Sequence, residues 1–459
     1  MLIKLSALLL TVALPSLAID TNFITSLNAP APNFLERFGH DLAVNDDYIA
    51  VSGPQRLIPE NFTGGVYVYD RDTRALLHTL SPGTGNASAQ TGTSISISGD
   101  LLAAGAPYWS SNKGAVFIWD LTTGDLLTTV THPAANNDDE FGISVSLNGT
   151  DLLIGAHKDE FDSDNEDERN HGTVYQYSLS SGSPSFVRTY EPAAYSMDLR
   201  FGSVVAMTDQ YAIIGSPNET IADSSGDLAF GGKVFVYDKS TGTLTYTLTA
   251  SNAASDAYFG FDLDVDDSDR LLVGTGQPLE STGTAYLYDL TTGTETLEII
   301  APDSSTPSFG RTVELGDFIF VGAFNDGAGA TFVYDDAGTL LTKLTSDATV
   351  TGNNFASSMA SYQGTLLVGA PNATVSGLPS AGTIFQFGVS DYAPTLIADN
   401  SSLDLTWNTV AGRTYRAYYS LTPGESWSEL SGSPITATST QTSLPSTLAT
   451  KGFYYIIED

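Results

Sequence analysis

Phe201-Gly202-Ser203-Val204-Val205, then Tyr211-Ala212-Ile213-Ile214-Gly215-Ser216-Pro217, then Gly232-Lys233-Val234-Phe235-Val236-Tyr237-Asp238, form one unit that the chain repeats seven times. The first landmark falls at Phe38-Gly39, Thr91-Gly92, Phe141-Gly142, Phe201-Gly202, Phe259-Gly260, Phe309-Gly310 and Phe355-Ala356, spaced by 53, 50, 60, 58, 50 and 46 residues. A Gly-Ala-Pro-like element follows each landmark, as at Gly105-Ala106-Pro107 and Gly369-Ala370-Pro371. An aromatic strand comes next, as in Val66-Tyr67-Val68-Tyr69 and Val116-Phe117-Ile118-Trp119. Seven units of about fifty residues, each unable to bury its apolar faces alone, predict a β-propeller.

Each unit reads as four strands, since short apolar runs are separated by turn residues and none has a sustained helical period. In the third unit strand A is Ile143 to Leu147, B is Leu152 to Gly155, C is Val174 to Tyr177, and D runs near Phe186 to Tyr190. Strand C of the first unit is apolar on both faces, as a sheet sandwiched between neighbours requires. The small residues at the end of strand B allow adjacent blades to approach closely. The seventh unit reaches strand C at Ile384 to Phe387 and then lacks a D strand. The run Phe23 to Pro30 matches a D strand and its exit, so the N-terminal segment is expected to close the last blade and leave no long unpaired edge.

Composition narrows the function. The chain of 459 residues carries 53 acidic against 18 basic groups, a formal charge of -35, and no cysteine. No basic stripe exists to displace the counterions of nucleic acid, and thiol chemistry and disulfides are absent. Lys4, the apolar stretch Leu5 to Leu14 and Ser16-Leu17-Ala18 read as a secretory signal peptide cut after Ala18. No later segment has the apolar length of a membrane span. The expected organisation is therefore a signal peptide at 1–18, an all-β seven-bladed propeller at 19–389, and a small β-sandwich at 390–459. The expected location is secreted, cell-surface or periplasmic, and the expected state is a monomer.

These repeats resemble FG-GAP repeats, the unit of the integrin alpha-subunit propeller and of many exported bacterial proteins. The C-terminal Leu405-Thr406-Trp407, Gly412-Arg413-Thr414-Tyr415-Arg416 and Gly452-Phe453-Tyr454 resemble a fibronectin-type-III-like module. The first resemblance implies a propeller used for extracellular binding or adhesion, toward a protein or glycan, often with calcium in its loops. In the integrin pattern an Asp-x-Asp-x-Asp-Gly loop between strands A and B holds the ion. The nearest counterpart here offers Asp264, Asp266 and Asp269, with Arg270 where the pattern has Gly.

Independently of any resemblance, the loop between strands B and C of the third unit carries Asp159, Glu160, Asp162, Asp164 and Glu166, oxygen ligands of the kind calcium takes. The D-to-A loop before it carries Asp138, Asp139 and Glu140. Loops of these two classes share a face of a propeller, so the two acidic runs are expected to meet. The fourth unit has a second long B-to-C loop, Asn218 to Gly231, beside the third. Loops on a rigid scaffold commonly carry binding, so partner recognition is expected over the third and fourth blades.

Catalysis has little support. The five histidines show no zinc-type spacing, and no Gly-x-Ser-x-Gly elbow appears. His157 occupies the Pro position of its repeat and reads as a structural substitution. The alternative reading is a propeller enzyme acting on an extracellular polysaccharide.

Overall fold

A computed structural model describes residues 20–58, 61–83, 88–133, 138–159, 170–180, 182–192, 198–222, 226–277, 281–346 and 353–390, together with the backbone of seven strands between 395 and 458. The proposed signal peptide lies outside the described residues. Among those described, no helix is long and apolar enough to cross a membrane. The chain divides into a compact unit at Phe23–Phe387 and another formed by Met1–Asn22 with Gly388–Asp459.

Seven four-stranded antiparallel sheets form the propeller. The third blade runs Ser144–Asn148, Asp151–Ala156, Thr173–Ser178 and Ser185–Tyr190, as strands A to D from the inside outward. The last blade is completed as the sequence predicts: Asp20–Leu27 pairs with Thr383–Ser390 and is its outermost strand. The Thr383 hydroxyl donates to the Leu27 carbonyl oxygen at 3.0 Å.

The core lies between blades. One cluster joins Val66, Val68 and Leu80 of the first blade to Ile95, Leu102, Phe117 and Trp119 of the second. Another joins Phe38, Leu42 and Tyr67 of the first blade to Leu367 and Ile384 of the seventh and to Ala29 beyond the N-terminal strand. The six landmark phenylalanines and Thr91 are fully buried. Each landmark backbone also holds the preceding blade: the Phe201 N–H donates to His171 O at 3.0 Å and the Phe259 N–H to Gly231 O at 3.1 Å.

Two glycines of the repeat have separate physical reasons. Gly202 has a φ of +83°, a conformation that a side chain disfavours. Gly155 is extended, yet a Cβ there would overlap the carbonyl oxygen of Gly202 in the next blade.

Inner strands of successive blades are stitched by side chains. Asp41 Oδ2 accepts the Ile95 N–H at 2.7 Å, and Ser94 and Ser96 accept those of Val145 and Leu147 at 3.1 and 3.0 Å. Asp262 and Asp264 accept those of Val313 and Leu315 at 2.8 and 2.6 Å, and Glu314 accepts that of Ser361 at 2.6 Å. A strand edge leaves backbone donors that must find partners, and these oxygens supply them. Burial raises the carboxyls of Asp41 to about 7 and of Asp262 to about 6. Glu314 is pushed well above its ordinary range by burial and by the charges of Asp264 and Asp262.

In the C-terminal region, Thr395–Ala398, Leu403–Asn408 and Gln441–Ser446 form one sheet. Thr414–Ser420 pairs with Ser428–Glu429, Ile435–Thr436 and Phe453–Glu458 in a second.

Candidate functional site

The D-to-A and B-to-C connections meet at the entrance to the third blade. The chain leaves the second blade's outer strand at Thr131, passes His132, and returns through Asp138, Asp139 and Glu140 to Phe141. Glu140 is fixed by its N–H, which donates to Asn112 O at 2.9 Å, and Phe141 by its donation to Lys113 O at 3.3 Å. On the other side, strand B ends at Ala156 and one tight turn follows, in which the Asp159 N–H donates to Ala156 O at 3.0 Å. That turn aims Asp159 back at Tyr175, which strand pairing sets opposite Ile154.

Four buried polar groups converge there. His132 Nε2 lies 3.4 Å from Asp159 Oδ2 and Nδ1 lies 3.7 Å from Asp139 Oδ2. The Tyr175 hydroxyl donates to Asp159 Oδ2 at 2.5 Å and sits 2.8 Å from His132 Nε2. Phe141 and Tyr175 pack edge-on against the imidazole, with ring centroids at 5.5 and 4.9 Å. His132, Asp139 and Asp159 each offer one ligand atom, all within 4.8 Å of one another. Burial pushes the Asp159 carboxyl up, but the hydrogen bonds from His132 and Tyr175 and the His132 charge outweigh it and hold the carboxyl below its usual range. Burial and the Asp159 charge raise the Tyr175 phenol.

A second pairing adjoins it. Glu140 meets His157 Nε2 at 3.0 Å and Lys158 Nζ at 2.6 Å. Against the upward push of burial, these two partners lower its carboxyl. His157 thus replaces the repeat's Pro with a partner for Glu140.

The two acidic runs therefore meet as expected, through Asp139 and Asp159 on either side of His132. Glu160, Asp162, Asp164 and Glu166 lie outside the described residues. Asp264, Asp266 and Asp269 have separate engagements. Asp264 accepts the Val265 N–H at 2.9 Å with the oxygen not used by Leu315. Asp266 accepts the Ser268 and Arg270 N–H groups, both at 2.9 Å, and pairs with the Arg270 guanidinium at 2.7 Å. Asp269 donates its N–H to Asp266 O at 3.2 Å. Arg270, standing where the integrin pattern has Gly, gives this turn a cation of its own.

The spacing of the histidines alone does not reveal His132, because 27 residues separate it from Asp159 in sequence. Superposing the units by register supplies the signal. At the position of His132 the other blades carry Pro82, Pro192, Ala250, Ala301, Ser346 and Ala29.

Residues 129–177, which contain all four converging groups, match the FG-GAP repeat. The match covers strands A to C of the third blade; the ring as a whole is a seven-bladed propeller. No curated protein matches the chain.

On the same face of the propeller, the fourth blade's B-to-C connection is braced by mutual backbone hydrogen bonds between Ile221 and Leu228. It ends at Phe230, which stacks on Tyr258 of the fifth blade's D-to-A loop with centroids 5.5 Å apart and planes at 17°. Phe230 remains 39% exposed and Phe261 37% exposed, and the Arg311 guanidinium lies 4.3 Å over the Phe261 ring.

Proposed function

We propose that this protein is an extracellular binding or adhesion protein that acts as a monomer. Its protein or glycan partner docks over the D-to-A and B-to-C loops of the third and fourth blades. The observation that carries the reading is Phe230: a large apolar ring held at the surface by a braced loop and a stacked tyrosine. Fixed exposed aromatics supply contact area at little entropic cost and are enriched at recognition surfaces. The acidic loop beginning at Asp159 favours a basic partner, or calcium bridging between the loop and the partner. A fold built from FG-GAP repeats is consistent with this role.

The test compares wild type with Phe230→Ala and with a variant whose loops at 160–169 and 219–230 are shortened. Both are applied to a glycan array and a panel of immobilised extracellular matrix proteins, with calcium and with chelator. We expect capture by wild type, strengthened by calcium and lost in both variants. Absence of capture by wild type on every surface, or equal capture by the variants, overturns the reading.

A further inference from the structure

We propose that His132, Asp139 and Asp159 bind a divalent first-row transition metal, zinc by preference, with the Tyr175 hydroxyl as a fourth neighbour. The site shares Asp159 with the calcium reading of the acidic loop but takes its other ligands from elsewhere and does not depend on that reading.

The donor set and its spacing carry the proposal. Zinc takes imidazole nitrogen and carboxylate oxygen at about 2.0–2.2 Å in tetrahedral arrangement, which places neighbouring ligand atoms roughly 3.3–3.6 Å apart. One ligand atom from each of His132, Asp139 and Asp159 lies within 4.8 Å of the others. The closest approaches, 3.4 Å from Nε2 to Asp159 and 3.7 Å from Nδ1 to Asp139, use different ring nitrogens, so one carboxylate must turn toward the nitrogen that takes the metal. An imidazole among the ligands selects against calcium and magnesium, which take oxygen. The chain has no cysteine to build a competing thiolate site. Outer-shell partners that fix ligand orientation also accompany metal sites. Here Tyr175 and Thr173 donate to Asp159.

Comparison among blades supplies an independent argument. In the first blade Glu36 occupies the position of Asp139, two residues before the landmark Phe, and hydrogen-bonds the Tyr67 hydroxyl as Asp159 does Tyr175. The turn position after its strand B holds Arg56, 3.8 Å from Glu36, so the first blade closes its buried carboxylate with a fixed cation. The third blade keeps the acid and the tyrosine but puts Asp159 where the arginine stands, and adds His132 where other blades have Pro, Ala or Ser. The fourth and sixth blades also place a carboxylate at the Asp159 position, Glu219 and Asp326, but a histidine together with both carboxylates occurs only where His132, Asp139 and Asp159 meet. A second carboxylate in place of an arginine is the exchange that a mobile dication would accompany.

The full-length protein, stripped with chelator, is titrated with zinc by calorimetry and with cobalt(II) by absorption. We expect one equivalent of zinc to bind and raise the melting temperature, since binding to the native state alone must stabilise it. Cobalt should give the intense visible bands of a tetrahedral site. His132→Gln, Asp139→Asn and Asp159→Asn should each weaken zinc at least about 100-fold and abolish the cobalt bands. His78→Gln, at a histidine that meets Leu121 O at 2.8 Å outside the cluster, should change neither. Three variants guard against one that misfolds, with circular dichroism reporting the fold of each. Absence of stoichiometric zinc binding, zinc binding untouched by all three substitutions, or binding of calcium alone overturns the site. The last of these outcomes would leave the partner-docking reading standing.

Discussion

Replacing Asp41 with Asn should make the propeller about 1 kcal/mol less stable than wild type at low pH and as stable or up to about 1 kcal/mol more stable above pH 7, the difference rising steadily with pH. Asp41 Oδ2 accepts the Ile95 N–H across the blade boundary and Oδ1 accepts the Leu42 N–H at 2.9 Å. Burial raises its carboxyl from 3.8 to about 7, against the pull of those two donors and with a further upward push from Asp262. A carboxyl raised in the folded state contributes its full stabilisation below pH 3.8 and loses it as the pH climbs through about 7. At about 1.36 kcal/mol for each pH unit, that rise sets a ceiling of about 4 kcal/mol. Asp41 is only half-buried, so solvent screening should reduce this to about 1–2 kcal/mol. The amide cannot vary with pH. It forfeits one accepted hydrogen bond, a constant offset of about 1 kcal/mol. Unfolding entropy scales with chain length, so each kcal/mol moves the melting temperature of a ring this large by roughly 1 °C. Thermal scans of both proteins at half-unit steps from about pH 4.5 to 8.5, which bracket the window set by that carboxyl, give the difference directly. His40, whose buried ring is lowered to about 4, contributes equally to both proteins and cancels to first order. A difference that is flat across this range, or that falls with rising pH, would refute the assignment of Asp41 as a carboxyl raised by its place on the inner strand.

Removing residues 20–30 takes away the outer strand of the seventh blade and the buried Ala29. It should lower the melting temperature and promote association through the bared edge, measurable by thermal scanning and light scattering. An unchanged melting temperature would rule the closure out. Gly155→Ala should cost about 1–3 kcal/mol in urea unfolding, because its Cβ meets a backbone carbonyl and the Ser144 hydroxyl. Gly182→Ala, at φ +75° with nothing within 4 Å, should cost only the backbone strain of about 1 kcal/mol. Equal effects at the two glycines would count against the blade-contact explanation.

The architecture was readable because the landmarks are demands of the backbone itself. Gly202 answers a left-handed φ, Gly155 answers a carbonyl in the adjoining blade, and the buried Phe201 fills the space between sheets. Such demands recur in every unit, and recurrence is what a sequence displays most clearly. The cluster around His132 was hidden for the opposite reason, since it departs from the repeat and its members come from two blades. The inner-strand carboxylates were hidden too. Along a strand that alternates apolar and polar residues, Asp262 and Asp264 look like solvent-facing positions, although each is committed to a backbone donor of the next blade. The Asp264 to Asp269 turn was legible as acidic, but not that Arg270 would occupy it.

The seventh blade takes its outer strand from ahead of the first blade and the other three from after the sixth, so Thr383 meets Leu27 across 356 positions of sequence. During synthesis that outer strand must wait unpaired until nearly all of the ring has emerged. Closing so long a loop is slow and comes late. The ring thus behaves as a test of completeness. A chain interrupted anywhere before its last blade presents two raw edges instead of a seam.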